Sequence, residues 1–299
     1  MTKPSHSIDA VERDVGLSKD VLRKWERRYG FPSPSRDCHG DRAYSDDEIH
    51  RLRLIKRLID QGRRPGSVVA LKRSQLEQLL DSTGDTASPE CPIATDVARL
   101  LRDRRVADLR TTLNQMLLRQ GLQHFVRNTV APLNVAIGEA WLHGDIEIAE
   151  EHLYTEQIQT VLRSAIATQT GAGASPRILL TTLPDELHAL GLLMVEATLV
   201  CEGATCIALG TQTPAADLAA IGAGNAFDVL ALSFSSAFPR RRAVDSLIAL
   251  RGRLPASIPI WVGGSGISGY RPTADGITVF RDLDSIVLAL QQWRNRGLS

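Results

Sequence analysis

The sequence predicts a multidomain chain, α followed by α/β. A winged helix-turn-helix head occupies 1–80, a four-helix bundle 92–168, and a doubly wound, Rossmann-like parallel domain 176–299. Three observations predict this. Two segments of linker composition, Asp81–Cys91 (DSTGDTASPEC) and Thr168–Pro176 (TQTGAGASP), divide the 299 residues. The apolar period is helical before the second linker, and afterwards becomes an alternation of short apolar runs and helices. Charge is also uneven. Residues 1–80 carry 17 Lys and Arg against 12 Asp and Glu, a net of +5, whereas the remainder carries 18 against 22, a net of −4. A basic front on a mildly acidic body is the pattern of a nucleic-acid head attached to something else.

The elements follow in order. Ile8, Val11 and Val15 share one helical face, and Gly16 ends that helix. Ser18 is an N-cap for a second helix, Lys19 to about Arg28, with Val21, Leu22 and Trp25 facing inward. Gly30, Pro32, Pro34 and Gly40 forbid helix and leave a loop or small wing. Asp46 or Ser45 caps a third helix carrying Ile49, Leu52, Ile55 and Leu58. In the middle segment Val97, Leu100, Leu101, Val106, Leu109, Leu113, Met116, Leu117 and Leu122 recur at helical spacing, with Pro132 and Gly144 as punctuation. In the last segment the runs 177–183, 205–209, 229–234, 258–262 and 277–280 read as strands. Helices at about 189–201, 214–222, 240–250 and 284–294 lie between and after them. Such a domain binds ligands beyond the carboxyl ends of its strands.

Composition narrows the function classes. Hydrophobic residues make up 43% and charged residues 23%, which is globular composition. No apolar run is long enough to span a membrane, no secretory signal is visible, and four scattered cysteines do not make a disulfide scaffold. A cytoplasmic protein with no membrane partner is expected. Gly222-x-Gly224 lacks a third glycine and is no dinucleotide fingerprint. Cys201-x4-Cys206 does not have metal spacing and reads as core. Arg240-Arg241-Arg242 reads as a helix start or a solvated run.

The head carries a specific run: Leu22-Arg23-Lys24-Trp25-Glu26-Arg27-Arg28-Tyr29-Gly30-Phe31-Pro32-x-Pro34-x-Arg36, then Gly40-x-Arg42-x-Tyr44. Arg23, Lys24, Arg27 and Arg28 lie opposite Leu22 and Trp25 on the helix, where guanidinium groups suit guanine edges and phosphates. This run resembles the winged helix-turn-helix of the MerR family of transcription regulators over about residues 7–75. The resemblance implies that the second helix, with Tyr29 at its end, enters the major groove of double-stranded operator DNA. It implies that Arg36 and Arg42 in the wing grip phosphate.

The α/β domain carries Glu186-x-His188-x-x-Gly191, then 41 residues to Ser233, and 27 residues after Ser235 to Gly263-Gly264. This three-part spacing resembles the cobalamin-binding fold of methionine synthase and corrinoid proteins. Imidazole is a suitable cobalt donor. The resemblance implies His188 as the lower axial cobalt ligand, displacing the cofactor's dimethylbenzimidazole, with Glu186 fixing its tautomer. It also implies that Gly191, Ser233, Gly263 and Gly264 line a slot for the displaced nucleotide tail, while Thr211, in the loop 210–214, faces the corrin. Ser235 stands where that family usually has Leu, which predicts weaker packing there.

In the bundle, Trp141 is followed by nine residues and then Glu151-His152. The arrangement resembles the cap of CarH/LitR-type cobalamin-dependent photoreceptor regulators, and the order of the three parts matches as well. The resemblance implies that Trp141 shields an adenosyl group on the upper corrin face and that Glu151 and His152 complete the pocket. In that family a His follows the Trp and ligates cobalt after light removes the adenosyl group. Here the residue is Leu142, which cannot coordinate. His143 would point about 100° away on the same helix, and His124 and His152 are other donors.

The expected function is a non-enzymatic, DNA-binding regulator, a repressor by family expectation. It would use adenosylcobalamin as ligand and light-sensing chromophore, as a homo-oligomer (dimer or tetramer) whose assembly displays several heads. Two alternatives stand beside it. Leu142 and Ser235 favour a cobalamin-responsive or cofactor-independent MerR regulator indifferent to light. A corrinoid methyl-transfer protein would share the cobalamin motif but has no use for the basic head.

Overall fold

A computed structural model of the chain describes residues 5–83, 91–169 and 174–296. Most of the first expected linker (84–90) and the core of the second (170–173) lie outside the described residues. The chain forms two compact units, one of Met1–Glu90 with Val135–Glu151, the other of Cys91–Asn134 with His152–Ser299.

The first unit begins with β1 (Ser5–Ser7), α1 (Ile8–Val15) and α2 (Lys19–Tyr29), followed by β2 (Ser35–Arg36) and β3 (Arg42–Ser45). Then come α3 (Asp46–Asp60), α4 (Pro65–Val68) and α5 (Arg73–Thr83). The helix boundaries follow local chemistry. Ser7 and Ser18 accept from the N–H groups of Ala10 and Val21. Gly16 and Gly30 close α1 and α2 in the left-handed conformation. Ser45, not Asp46, caps α3, in a full capping box with Glu48. The wing is a three-stranded antiparallel sheet ordered β1-β3-β2. Val11, Val15, Leu22, Trp25, Tyr44, Leu52, Ile55 and Leu58 form the core beneath it. Arg51 stacks over Phe31 at 3.8 Å and donates to the Val69 carbonyl at 2.9 Å, tying α3 to the turn after α2 and to the end of α4.

The helical segment comprises α6 (Ala94–Arg102), α7 (Val106–Gln120) and α8 (Leu122–Phe125), then a π-helical turn (Val126–Val130), α9 (Ala131–His143) and α10 (Ile148–Ala167). The π turn joins α8 and α9 without a break, so four helices result, as the spacing predicts. The segment is divided between the units: the hairpin end, Val135–Glu151, packs with the head. Within the second unit, α8 and the π turn pack on the first helix of the α/β domain.

That domain runs β4 (Ala174–Thr181), α11 (Leu190–Cys201), β5 (Ala204–Gly210), α12 (Ala215–Ala223), β6 (Val229–Ser233), α13 (Arg240–Arg251), β7 (Ile260–Gly263), β8 (Ile277–Val279) and α14 (Leu283–Arg296). The five strands are parallel, in the order β5-β4-β6-β7-β8. One face packs Leu179, Leu230, Leu232 and Val262 against α12 and α13, and the other packs Ile178, Leu180 and Trp261 against α11 and α14. The strands are apolar on both sides because both sides are covered. Chain order reverses direction between β4 and β6, and such a switch point opens a crevice beyond the carboxyl ends of those strands.

Candidate cofactor site and nucleic-acid interface

Loops from both sides of the switch point meet. Glu186 and His188 lie in the loop after β4, and Ser235 follows β6. Glu186 is 1% exposed, yet it is charged by design: its carboxylate accepts the His188 imidazole at Nδ1 (2.7 Å) and the His188 backbone N–H (2.9 Å). It also accepts the backbone N–H of Ser235 (2.7 Å) and its hydroxyl (2.9 Å). Burial raises the carboxyl's pKa, but these donors outweigh it and hold the group below its ordinary value. With Nδ1–H given to the carboxylate, the imidazole lone pair is that of Nε2, on a side chain that is 59% exposed. Ser235 Oγ also lies 3.0 Å from Nδ1.

Ser235 therefore does more than leave weaker packing where a Leu is usual. It is a second partner of the buried carboxylate, reached across 49 residues of sequence.

A hydroxyl cluster joins this loop to the one after β5. Thr182 Oγ1 donates to the Glu186 carbonyl (2.6 Å) and accepts the Gln212 N–H (2.9 Å), while Thr213 N–H donates to the Thr182 carbonyl (2.9 Å). Thr181 and Thr213 share a hydroxyl hydrogen bond of 2.6 Å. Thr211 is thus carried on a loop fixed to the His188 loop. Gln212 sits at φ +64°, a conformation the clamp on either side must hold.

The small residues divide by what surrounds them. A Cβ on Gly191 would lie 2.6 Å from Ser233 Oγ, so α11 passes directly over the end of β6. Gly264 has φ +99° and lies against the Phe234 backbone, where no side chain fits. Gly263 is the contrast: a Cβ there would meet nothing within 4 Å. The end of β7 therefore faces open space at Gly263.

No three His, Cys, Asp or Glu side chains converge among the described residues. A metal needing a multidentate protein cage has no site among them. A metal already held in a macrocycle needs a single axial donor with a fixed tautomer, which is what His188 offers. The residues fit such a group.

One sequence expectation changes here: Cys201 is exposed rather than core. Arg240-Arg241-Arg242 begins α13, as the sequence predicts, and Arg242 also pairs with Asp185, the residue before Glu186, which holds φ +73°.

Trp141 and Glu151 fall in the first unit and His152 in the second. Trp141 lies in the last turn of α9, beside Arg53 of the head. Leu142 is buried within the unit's packing, and His143 is exposed.

In the head, Arg23, Lys24, Arg27 and Arg28 are exposed along one side of α2, with Leu22 and Trp25 buried on the other. Arg28 lies 5.2 Å from the centre of the half-buried Tyr29 ring. Arg36 is exposed at the wing turn, where it donates to the Gly40 carbonyl. Arg42 is half-buried and ion-paired to Glu26 at 2.9 Å, a pair that braces the wing against α2.

This arrangement defines a class: a winged helix-turn-helix DNA-binding head joined to a doubly wound α/β domain with a single histidine donor at its switch point. Residues 6–74 match the MerR HTH regulatory protein family. The HTH-type transcriptional repressor CarH of Myxococcus xanthus is 27% identical over 288 residues, covering 93% of this chain and 95% of its own. The repressor CarA of the same organism is 31% identical over 274 residues, covering 87% and 86%. In structure, the monomethylamine corrinoid protein of Methanosarcina barkeri aligns with 66% of this chain and 96% of its own, at a TM-score of 0.52 and 13% identity, which establishes the shared fold. The chain belongs to the MerR-type helix-turn-helix transcriptional regulators with a C-terminal domain of the cobalamin-binding fold, the group that includes CarH and CarA. Among the described residues no helix is long and apolar enough to cross a membrane.

Proposed function

We propose that the protein is a cobalamin-dependent transcriptional repressor whose hold on operator DNA changes with the cofactor and, when adenosylcobalamin is bound, with light. The observation that carries this reading is the Glu186–His188–Ser235 arrangement at the switch point of a corrinoid-type fold. Adenosylcobalamin, when bound, supplies a cobalt–carbon bond that light breaks.

The chain's residues do the rest. His188 offers Nε2 as axial donor. Glu186 fixes the tautomer and balances the positive charge that the imidazole gains on metal binding. Gly263 leaves open space for the nucleotide tail, Gly191, Ser233 and Gly264, which pack closely beside it, would form the wall of that slot, and Thr211 would face the corrin. Trp141, Glu151 and His152 are assigned to the upper side of the cofactor on the family resemblance alone. Arg23, Lys24, Arg27, Arg28 and Tyr29 read the major groove while Arg36 contacts phosphate. A homo-oligomer, dimer or tetramer, presents several heads at once and gains affinity without new base contacts.

One observation favours a second reading. Leu142 is 6% exposed and has no donor atom. A regulator that responds to cobalamin but not to light needs none there.

The test is an absorption spectrum. The purified full chain is incubated in the dark with adenosylcobalamin, desalted, scanned, and scanned again after green light, with His188→Ala alongside. Retained colour, lost in the variant and altered by light, supports the first reading, and colour indifferent to light supports the second. A wild-type protein that retains no cobalamin removes both.

A further inference from the structure

The head holds a buried cation that no DNA-reading role uses. Arg53, on α3, has a side chain only 4% exposed. Its Nε and Nη2 grip both carboxylate oxygens of Asp14 on α1, at 3.1 and 2.8 Å. Its Nη1 donates to the backbone carbonyl of Trp141 at 3.1 Å, and its guanidinium carbon lies 4.7 Å from the centre of the indole. One turn earlier on α3, His50 abuts Gly144, where a Cβ would lie 2.5 Å from Nδ1. Arg53 Nη2 also lies 3.8 Å from Glu147 beyond the turn, so the hairpin end after α9 is clasped by α3 through an arginine fork, this ion pair and one imidazole.

Two features make this clasp a separable contact. Asp14 neutralises Arg53 from within the head, so the guanidinium keeps its place whether or not Trp141 is against it. A planar fork also suits a helix C-terminus, whose carbonyls carry negative partial charge. Beside the clasp, two buried polar atoms, Trp141 Nε1 and His50 Nε2, have no hydrogen-bond partner among the described residues, so the contact is not a fully satisfied one.

We infer that Arg53 is the residue through which the DNA-reading head senses Trp141: clasped by Arg53, the indole is withheld from the effector, and an effector that takes the indole releases the head. The second half rests on the assignment of Trp141 to the cofactor. Because the two engagements of Trp141 compete, cofactor affinity and the DNA affinity of the clasped head are reciprocally linked.

The test uses the full chain, with Arg53→Lys, which keeps the charge on Asp14 but loses the fork, and Gly144→Ala, which strains the turn at φ +76° and pushes the hairpin end off His50 while leaving the Arg53 and Asp14 side chains unchanged. The DNA probe is a duplex selected from random sequence by the wild-type protein. In cobalamin-free protein, amide exchange at 135–151 is expected to quicken in both variants. The Kd for the duplex is expected to change roughly fivefold or more, the lower end for coupled sites. Unchanged exchange, or an unchanged Kd, overturns the inference. With adenosylcobalamin added in the dark, the variants are expected to bind it more tightly than the wild type and to show a DNA Kd that no longer responds to it. A response equal to the wild type's overturns the inference as well. A wild type that retains no cobalamin defeats the proposed cofactor, while the cobalamin-free measurements still decide the role of Arg53.

Discussion

Ser235→Ala is the sharpest test of how the axial donor is held. The hydroxyl lies 2.9 Å from one Glu186 oxygen and 3.1 Å from the other, and it has one proton to give. The substitution therefore removes one hydrogen bond to a charged, buried acceptor, worth about 1.5–3 kcal/mol, and leaves the backbone N–H in place. Not all of this reaches the cofactor, since Glu186 needs its partners with or without a metal on His188. A loss of about 1.4 kcal/mol in binding is tenfold, the low end of what outer partners of a metal-ligating histidine cost. Cobalamin affinity, measured by equilibrium dialysis in the dark, is expected to fall roughly tenfold in Ser235→Ala and to stay near wild type in Ser235→Thr, which keeps a hydroxyl. The pH dependence follows with its sign. Glu186 is held below its ordinary value, so its contribution is present above the unfolded pKa and lost as pH falls through the folded one. Removing a donor raises the folded pKa, so cofactor loss on acidification should begin at a higher pH in Ser235→Ala. Ser235→Leu separates hydroxyl from packing: if it binds cobalamin as tightly as the wild type or better, the reasoning is wrong and the position acts through apolar contact.

Three further outcomes are expected. Gly264→Ala forces a side chain at φ +99° into the Phe234 backbone and should abolish the folded α/β domain, whereas Gly263→Leu, placed in open space, should leave thermal stability near wild type while blocking cobalamin retention; thermal denaturation with dialysis checks both. Arg27→Ala should weaken duplex binding and reduce its salt slope by about 1, whereas Arg42→Ala, which breaks a pair with Glu26, should lower the stability of the head more than its DNA affinity; salt-titrated fluorescence anisotropy distinguishes them. Burial among Arg73, Arg53 and His143, opposed only by Glu77, depresses His50 to about 4. The unfolded chain then binds the proton first, so the head should lose stability as pH falls from about 6.5 to about 4. At about 1.4 kcal/mol per pH unit the loss is roughly 3 kcal/mol, and amide exchange of α3 should follow it in the wild type but not in His50→Gln.

Much of this architecture is written locally. Ser18 announces its helix, and Ser45 or Asp46 the next, because a cap is a contact across three residues, and Gly16 and Gly30 end theirs for equally local reasons. The strands are legible because a sheet covered on both faces must be apolar throughout. Spacing also places His188 after β4 and Gly263 at the end of β7, the carboxyl ends of the two strands that flank β6. The side-chain partnerships are not local, and the sequence does not show them. Only the turns after β4 and β6 bring Ser235 to Glu186. Only the packing of the wing on α2 sets Glu26 beside Arg42. Cys201 reads as core because apolar helix neighbours surround it in sequence, although it sits at the exposed end of α11. Arg53 is the extreme case: nothing in DEIHRLRLIKRL marks one arginine among four basic residues as the buried one.

Leu142 constrains how a cofactor could act on this chain. A donor at that position could answer a change at cobalt by forming a new bond, but leucine cannot. Unless His124 or His152 supplies the donor instead, the response comes from where Trp141 is placed. A tryptophan buries about 150–250 Å², which at about 25 cal/mol per Å² corresponds to roughly 4–6 kcal/mol. Driving a two-state head from almost fully one form to almost fully the other needs about 5.5 kcal/mol of differential binding, so one indole is large enough in principle. It is not moved between burial and water, however. Against Arg53 it already has a cation on its ring and an arginine on its carbonyl. Only the difference between the two placements is available, and that lies nearer the 1–3 kcal/mol of ordinary allosteric coupling. A single head would therefore be graded in its response. Sharp control of a promoter then has to come from several heads acting together, because a modest change per head multiplies when all must bind at once.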